Sequence, residues 1–98
     1  MPPDVKIIGQ IYRLNLSRDL GDEELGRCET SHQIIHLNIR QGADSLRDTA
    51  LHEILHAIHY LTGCEDEDPE ERFTSMGATG LRLVLMENPE LTDWILSR

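Results

Sequence analysis

At 98 residues the chain has room for one compact domain and little to spare for a second core, so residues 1–98 are expected to form a single unit. Nine basic against eighteen acidic residues give a formal charge of −9, which repels phosphate backbones and argues against a nucleic-acid partner. No run approaches the roughly 18 apolar residues of a membrane span, and Met1-Pro2-Pro3-Asp4 lacks the basic and apolar regions of an export signal, so the expectation is a cytoplasmic monomer whose Cys28 and Cys64 are reduced, partly buried thiols.

With aromatic residues at 4%, the core must come from Ile, Leu and Val, with Phe73 and Trp94 as single large anchors. Residues 11–17 alternate, with Tyr12, Leu14 and Leu16 on one side and Arg13, Asn15 and Ser17 on the other, which is the period of a half-buried strand. Residues 5–8 extend it, with Gly9 as a bulge or bend. After a polar loop over 18–24, residues 25–30 read as a short strand, 30–32 as a turn and 33–40 as a second strand alternating Ile35, Leu37 and Ile39 with His36, Asn38 and Arg40. The two read as a hairpin whose second strand leads through a loop into the next element, so it should lie near that element in space.

Residues 41–43 break the strand, Asp44 or Ser45 can cap a helix, and the helix should run to Thr62 with Gly63 as its stop. Its apolar stripe is Leu51, Ile54, Leu55, Ile58 and Leu61, on the side away from His52 and His56. The acidic run of Glu65, Asp66, Glu67, Asp68, Glu70 and Glu71 reads first as a solvated loop. Asp68 and Pro69 then have the form of a helix cap and first helical position, followed by Phe73, Met76, Gly77, Gly80, Leu81 and Val84 at helical spacing. Gly77 and Gly80 each cost about 1 kcal/mol against Ala inside a helix, a cost that makes sense where two helices must approach closely. The partner expected is the histidine helix. Asn88-Pro89 ends this second helix and opens a third, with Leu91, Trp94 and Ile95 on one side.

The chemistry is carried by His52-Glu53-Ile54-Leu55-His56. On a helix, residues four apart are separated by about 40° of arc, so His52 and His56 form a clamp for a metal, while Glu53, about 100° round, can reach a water on that metal. Catalytic zinc sites use three protein ligands and leave the fourth position to water. A third histidine six residues on is ruled out because Thr62 stands there, and His59 reads as a solvated residue at a helix end. The carboxylates opening the next helix, Glu71 or Glu70, are the candidates, each with a local alternative role at the helix start.

His52 to Ile58, the acidic helix start, the small-residue helix and Leu85-Met86-Glu87-Asn88-Pro89-Glu90-Leu91, with the strand over 33–39, resemble the minigluzincins, very small zincin-type proteins of phage, prophage and archaeal genomes. The resemblance covers most of the chain. It implies an α+β fold, a small antiparallel sheet packed on the HExxH helix and a following glutamate helix. Zn2+ would be held by His52, His56 and Glu71, with Glu70 the alternative one position away, and Glu53 would be the general base of peptide hydrolysis. Larger gluzincins carry a Tyr or His after the glutamate that steadies the oxyanion, and this chain has neither beyond Tyr60, so weak activity is expected. A peptide or protein substrate would add a strand to an exposed sheet edge, with 33–40 the leading candidate. The competing expectation is a non-enzymatic interaction domain whose zinc is structural, closed by Cys64 or an acid from 66–68. A calcium loop over 65–71 lacks the sixth-position glycine and the flanking helices of an EF-hand.

Overall fold

The computed structural model describes residues 1–63 and 69–97, and between 69 and 76 it describes the backbone alone. The elements follow one another as β1 (Asp4–Ile7), β2 (Gln10–Ser17), β3 (Gly26–Glu29), β4 (Ile34–Asn38), α1 (Ala43–Thr62), α2 (Pro69–Glu87) and α3 (Pro89–Leu96). The fold class is α+β, with four strands in one sheet and three helices after them. The expected anchor Phe73, Met76, the Asp68 cap, Cys64 and the acidic side chains through Glu71 lie outside the described residues.

The sheet order is β1-β2-β4-β3, and it corrects the expectation of an antiparallel sheet. Two antiparallel hairpins, β1–β2 and β3–β4, are joined by a parallel pairing of β2 with β4, in register from Arg13↔Ile34 to Ser17↔Asn38. The reason lies in the loop over 18–25. It carries the chain past the position beside β2, so that β3 becomes an edge and β4 returns into the gap. Asn38 at the end of β4 holds this loop: its Nδ2 donates to the carbonyls of Gly21 (3.2 Å) and Glu24 (3.1 Å), and its backbone N–H donates to Leu25 O.

The same loop explains where alternation fails. Tyr12, Leu14, Ile35 and Leu37 face the core as expected, but Leu16 and Ile39 run past its end and are exposed, while Ser17 and Asn38 at that end of the sheet are buried. Gly9 is not a bulge. Ile8 and Gly9 both have positive φ (45° and 78°) between the paired Ile7 and Gln10, which is a two-residue turn matched to the twist of the hairpin. A β-branched residue adopts that conformation only where packing holds it, and Ile8 is held beside α2 at Gly80.

α1 ends where expected, at Gly63 in the left-handed conformation (φ 62°), with its N–H donating to Tyr60 O. Its start differs: Gly42 is the N-cap without a side-chain bond, and the Ser45 hydroxyl donates instead to Gln41 Oε1 at 2.6 Å. Thr49 donates to the same oxygen, while Gln41 Nε2 donates to Leu25 O and Asn38 O, so one carboxamide ties α1 to the ends of β3 and β4. The buried stripe is also turned from the expected one. Ala50, Ile54, Ala57 and Ile58 are buried with Thr49 and Glu53, whereas Leu51, Leu55 and Leu61 are half-buried. α1 is packed on the sheet on one side and on α2 and α3 on the other, so small residues occupy its tightest contacts.

The core joins Val5, Ile7, Tyr12, Leu14, Ile35 and Leu37 of the sheet to this stripe, to Val84 of α2 and to Leu91 of α3, with Trp94 at its margin. Gly80 is where α2 meets α1: a Cβ there would lie 2.7 Å from Ile58 Cγ2. The close approach anticipated for the glycine face is therefore present at Gly80. Asn88 stands at the start of α3 but makes no side-chain bond to it; its carboxamide accepts from Lys6 N and donates to Lys6 O, both at 2.9 Å, covering the outer edge of β1, and donates to Val84 O in the last turn of α2 at 2.8 Å. No helix of the described residues is long and apolar enough to cross a membrane.

Candidate metal centre

His52 and His56 leave α1 on its exposed side, one turn apart, with ring centroids 4.7 Å apart and Nε2 atoms 3.1 Å apart. Two imidazole nitrogens on a tetrahedral zinc, each about 2.0–2.1 Å from it, are about 3.3 Å from one another, so the pair already stands near chelating separation. With Glu53 they form a group whose potential ligand atoms all lie within 4.8 Å of one another, and this group can hold a metal ion. His59 is exposed in the last turn of α1 and is not part of the group. The side chains of Glu71 and Glu70, the expected third ligands, lie outside the described residues.

Glu53 is the most constrained member. It is 6% exposed, held between α1 and β3, yet its carboxylate takes no hydrogen bond from any described residue. No side-chain oxygen among the described residues is both sealed from solvent and unpaired, so this carboxylate keeps contact with solvent through the clefts it lines. A nearly buried carboxylate without partners is costly and needs a reason.

The position of Glu53 depends on Gly26. A Cβ on Gly26 would lie 2.6 Å from Thr49 Cγ2, 3.2 Å from Glu53 Cγ and 3.2 Å from His36 O, so only glycine lets α1 lie this close to β3. The sequence signal was available, a glycine inside a short strand, but it does not say what approaches. Cys28, next but one along β3, is a free half-buried thiol. Burial, with Glu53 nearby, pushes it up to about 11, so it stays protonated at neutral pH.

Two open clefts meet at Glu53. One, of about 710 Å³, lies between residues 23–26 and the first half of α1, and the other, of about 510 Å³, lies between β3 and the His52–His56 turn. β3 is the sheet edge beside both. This corrects the expectation that the strand over 33–40 offers its edge, because β4 is paired on both sides, with β2 and with β3. Among the described residues no strand pairs with the outer side of β3.

Nothing matches the chain. Comparison with protein-family profiles, with curated proteins and with solved structures found no relative for it. The functional reading therefore rests on the geometry above.

On the far face of the sheet a second polar group is fully paired. Asn15 Nδ2 donates to His36 Nδ1 (3.1 Å), and His36 Nε2 is 2.9 Å from Glu29, whose other oxygen is 2.7 Å from His32 Nδ1. This arrangement fixes strands β2, β3 and β4 to one another and presents no convergent set of ligand atoms among the described residues.

Proposed function

We propose that the chain is a zinc-dependent metallopeptidase of the minigluzincin kind, in which His52, His56 and Glu71 hold the metal and Glu53 is the general base. The observation that carries this reading is the Glu53 carboxylate, 6% exposed, without a hydrogen-bond partner among the described residues, and open to the clefts beside two histidines at chelating separation. A structural metal site has no use for such a group, whereas a general base needs a free carboxylate within reach of water.

Zinc held by His52, His56 and Glu71 would supply Lewis acidity, to polarise a substrate carbonyl and to make water acidic enough to lose a proton near neutral pH. Glu53 accepts that proton as water attacks the peptide carbonyl, then returns it to the departing amine when the C–N bond breaks. The close approach of Gly26 to Glu53 Cγ limits where the carboxylate can sit, so less is lost in orienting it. The substrate is a peptide lying along the free edge of β3, its backbone hydrogen-bonding the strand while the scissile bond sits over Glu53.

The deciding experiment compares wild type with Glu53→Gln. The variant should retain zinc affinity and melting temperature while hydrolysis of unstructured peptides falls by a factor on the order of a hundred or more. Activity of the wild type is expected to be weak, so high protein concentration and a chelated control are needed. In parallel, Glu71→Ala should abolish tight zinc binding and Glu70→Ala should not; the reverse result moves the ligand by one position. A protein that binds zinc through a fourth side chain and cuts no peptide would instead be an interaction domain with a structural metal.

A further inference from the structure

Besides Glu53, three carboxylates line the cleft beside the first half of α1, and two of them have no counter-charge among the described residues. Glu23 and Asp48 both face it, and neither makes an ion pair, in contrast to Glu24, which is held by Arg27 Nε and Nη2 at 2.7 and 2.8 Å. Leu25, 49% exposed, offers the same cleft an apolar surface. An acidic rim alone would be a solvated surface. Here the floor of the cleft is Glu53, more than nine-tenths buried, unpartnered among the described residues and open to this space. We infer that this cleft is a specificity subsite for a lysine or arginine side chain of a peptide substrate, its aliphatic stem on Leu25 and its charged head between Glu23 and Asp48.

The chain direction sets which side of the scissile bond this residue occupies. Residues 23–26 lie beside Ser45 to Glu53, and residues 26–30 lie beside His52 to His56, so β3 and α1 ascend in the same sense along the groove. A peptide added antiparallel to β3, the more stable pairing, runs from His56 toward Asp48. Its basic residue therefore lies on the C-terminal side of the bond that is cut. Long basic side chains suit an open acidic cleft better than a compact apolar group does, because both the stem and the head find a partner without full desolvation.

This inference rests on the peptidase reading, and one experiment separates the two. Unstructured decapeptides that differ at a single position, holding lysine, norleucine or glutamate, are offered to the zinc-loaded wild type, with cut sites read by mass spectrometry. Their affinity for Glu53→Gln is measured by fluorescence anisotropy, which reads recognition without turnover. Lysine C-terminal to the cut bond should be preferred over glutamate by about tenfold in both assays, and the preference should shrink as salt rises. Glu23→Gln with Asp48→Asn should reduce it to about twofold, while Glu90→Gln with Asp93→Asn on α3, an equal change of charge away from the cleft, should leave it intact. Cleavage without the preference, a preference that survives the cleft variant, or a preference on the N-terminal side overturns the subsite and leaves the peptidase standing. Charge-selective binding with no cleavage upholds the subsite and overturns the peptidase, and peptides neither bound nor cut overturn both.

Discussion

Gly26 has consequences beyond its size. A methyl group there meets Thr49 Cγ2, on a short branched side chain in a helix, and a backbone carbonyl, so neither neighbour can turn away. Gly26→Ala is expected to destabilise the protein by about 1–3 kcal/mol, the range for forcing extra volume into a packed contact, and Thr49→Ser, which removes the clashing methyl, should recover part of it. Chemical denaturation of the two single variants and the double variant measures this. Glu29 gives a test by pH. The hydrogen bond from His36 holds its carboxyl below the ordinary 4.5, with His32 adding to the effect. A carboxyl lowered in the folded state adds stability that is present above its unfolded value and is lost as pH falls through the folded one. Glu24, held low by Arg27, acts in the same direction. The melting temperature of Glu29→Gln should therefore lie beneath that of wild type above the ordinary carboxyl range and converge on it as pH falls below that range. A constant gap across the acid range would remove the pairing as the cause.

At the scale of elements, the contact of α2 with α1 turns on Gly80. Gly80→Ala gains about 1 kcal/mol of helix propensity but drives a Cβ to within 2.7 Å of Ile58 Cγ2, on a buried side chain. The overpacking cost of about 1–3 kcal/mol should exceed the gain, giving a net loss of about 1 kcal/mol in a urea melt. A stabilised variant would mean that the helices can slide apart at no cost. The two sheet edges differ: β1 is covered by the carboxamide of Asn88, whereas among the described residues no strand pairs with the outer side of β3, beside the candidate metal site. One edge is closed, and the other is the edge along which the proposed peptide substrate would add a strand.

For the whole molecule, the core of sheet, α1, α2 and α3 does not include the histidines, which are exposed. Zinc should therefore add to a fold that already stands. At a hundredfold excess over its dissociation constant a ligand contributes about 2.7 kcal/mol, or about 10–20 °C in melting temperature for a domain of this size. Calorimetry with zinc and with a chelator checks this. The zinc-dependent rise should vanish in His52→Ala with His56→Ala, while that variant should melt near the chelated wild type. Unfolding of wild type on chelation would instead make the metal part of the fold.

The three helices, the strands β2, β3 and β4, the helix boundary at Gly63 and the placing of His52 and His56 one turn apart were legible in the sequence because each depends on residues within a few positions of one another, whereas β1 read as an extension of β2 because alternation does not register a two-residue turn. Alternation assigns a face to a strand but names neither its neighbour nor its direction, so the parallel pairing of β2 with β4 was not legible, and with it the edge beside the metal centre. The burial of Glu53 was equally hidden. A helical wheel sets the angle between Glu53 and His52, but whether that angle points to water or to a strand depends on how closely α1 approaches β3. Tertiary packing alone decided it, through a glycine 27 residues away in the chain that leaves room for the helix and so buries most of the Glu53 side chain without giving its carboxylate a partner among the described residues.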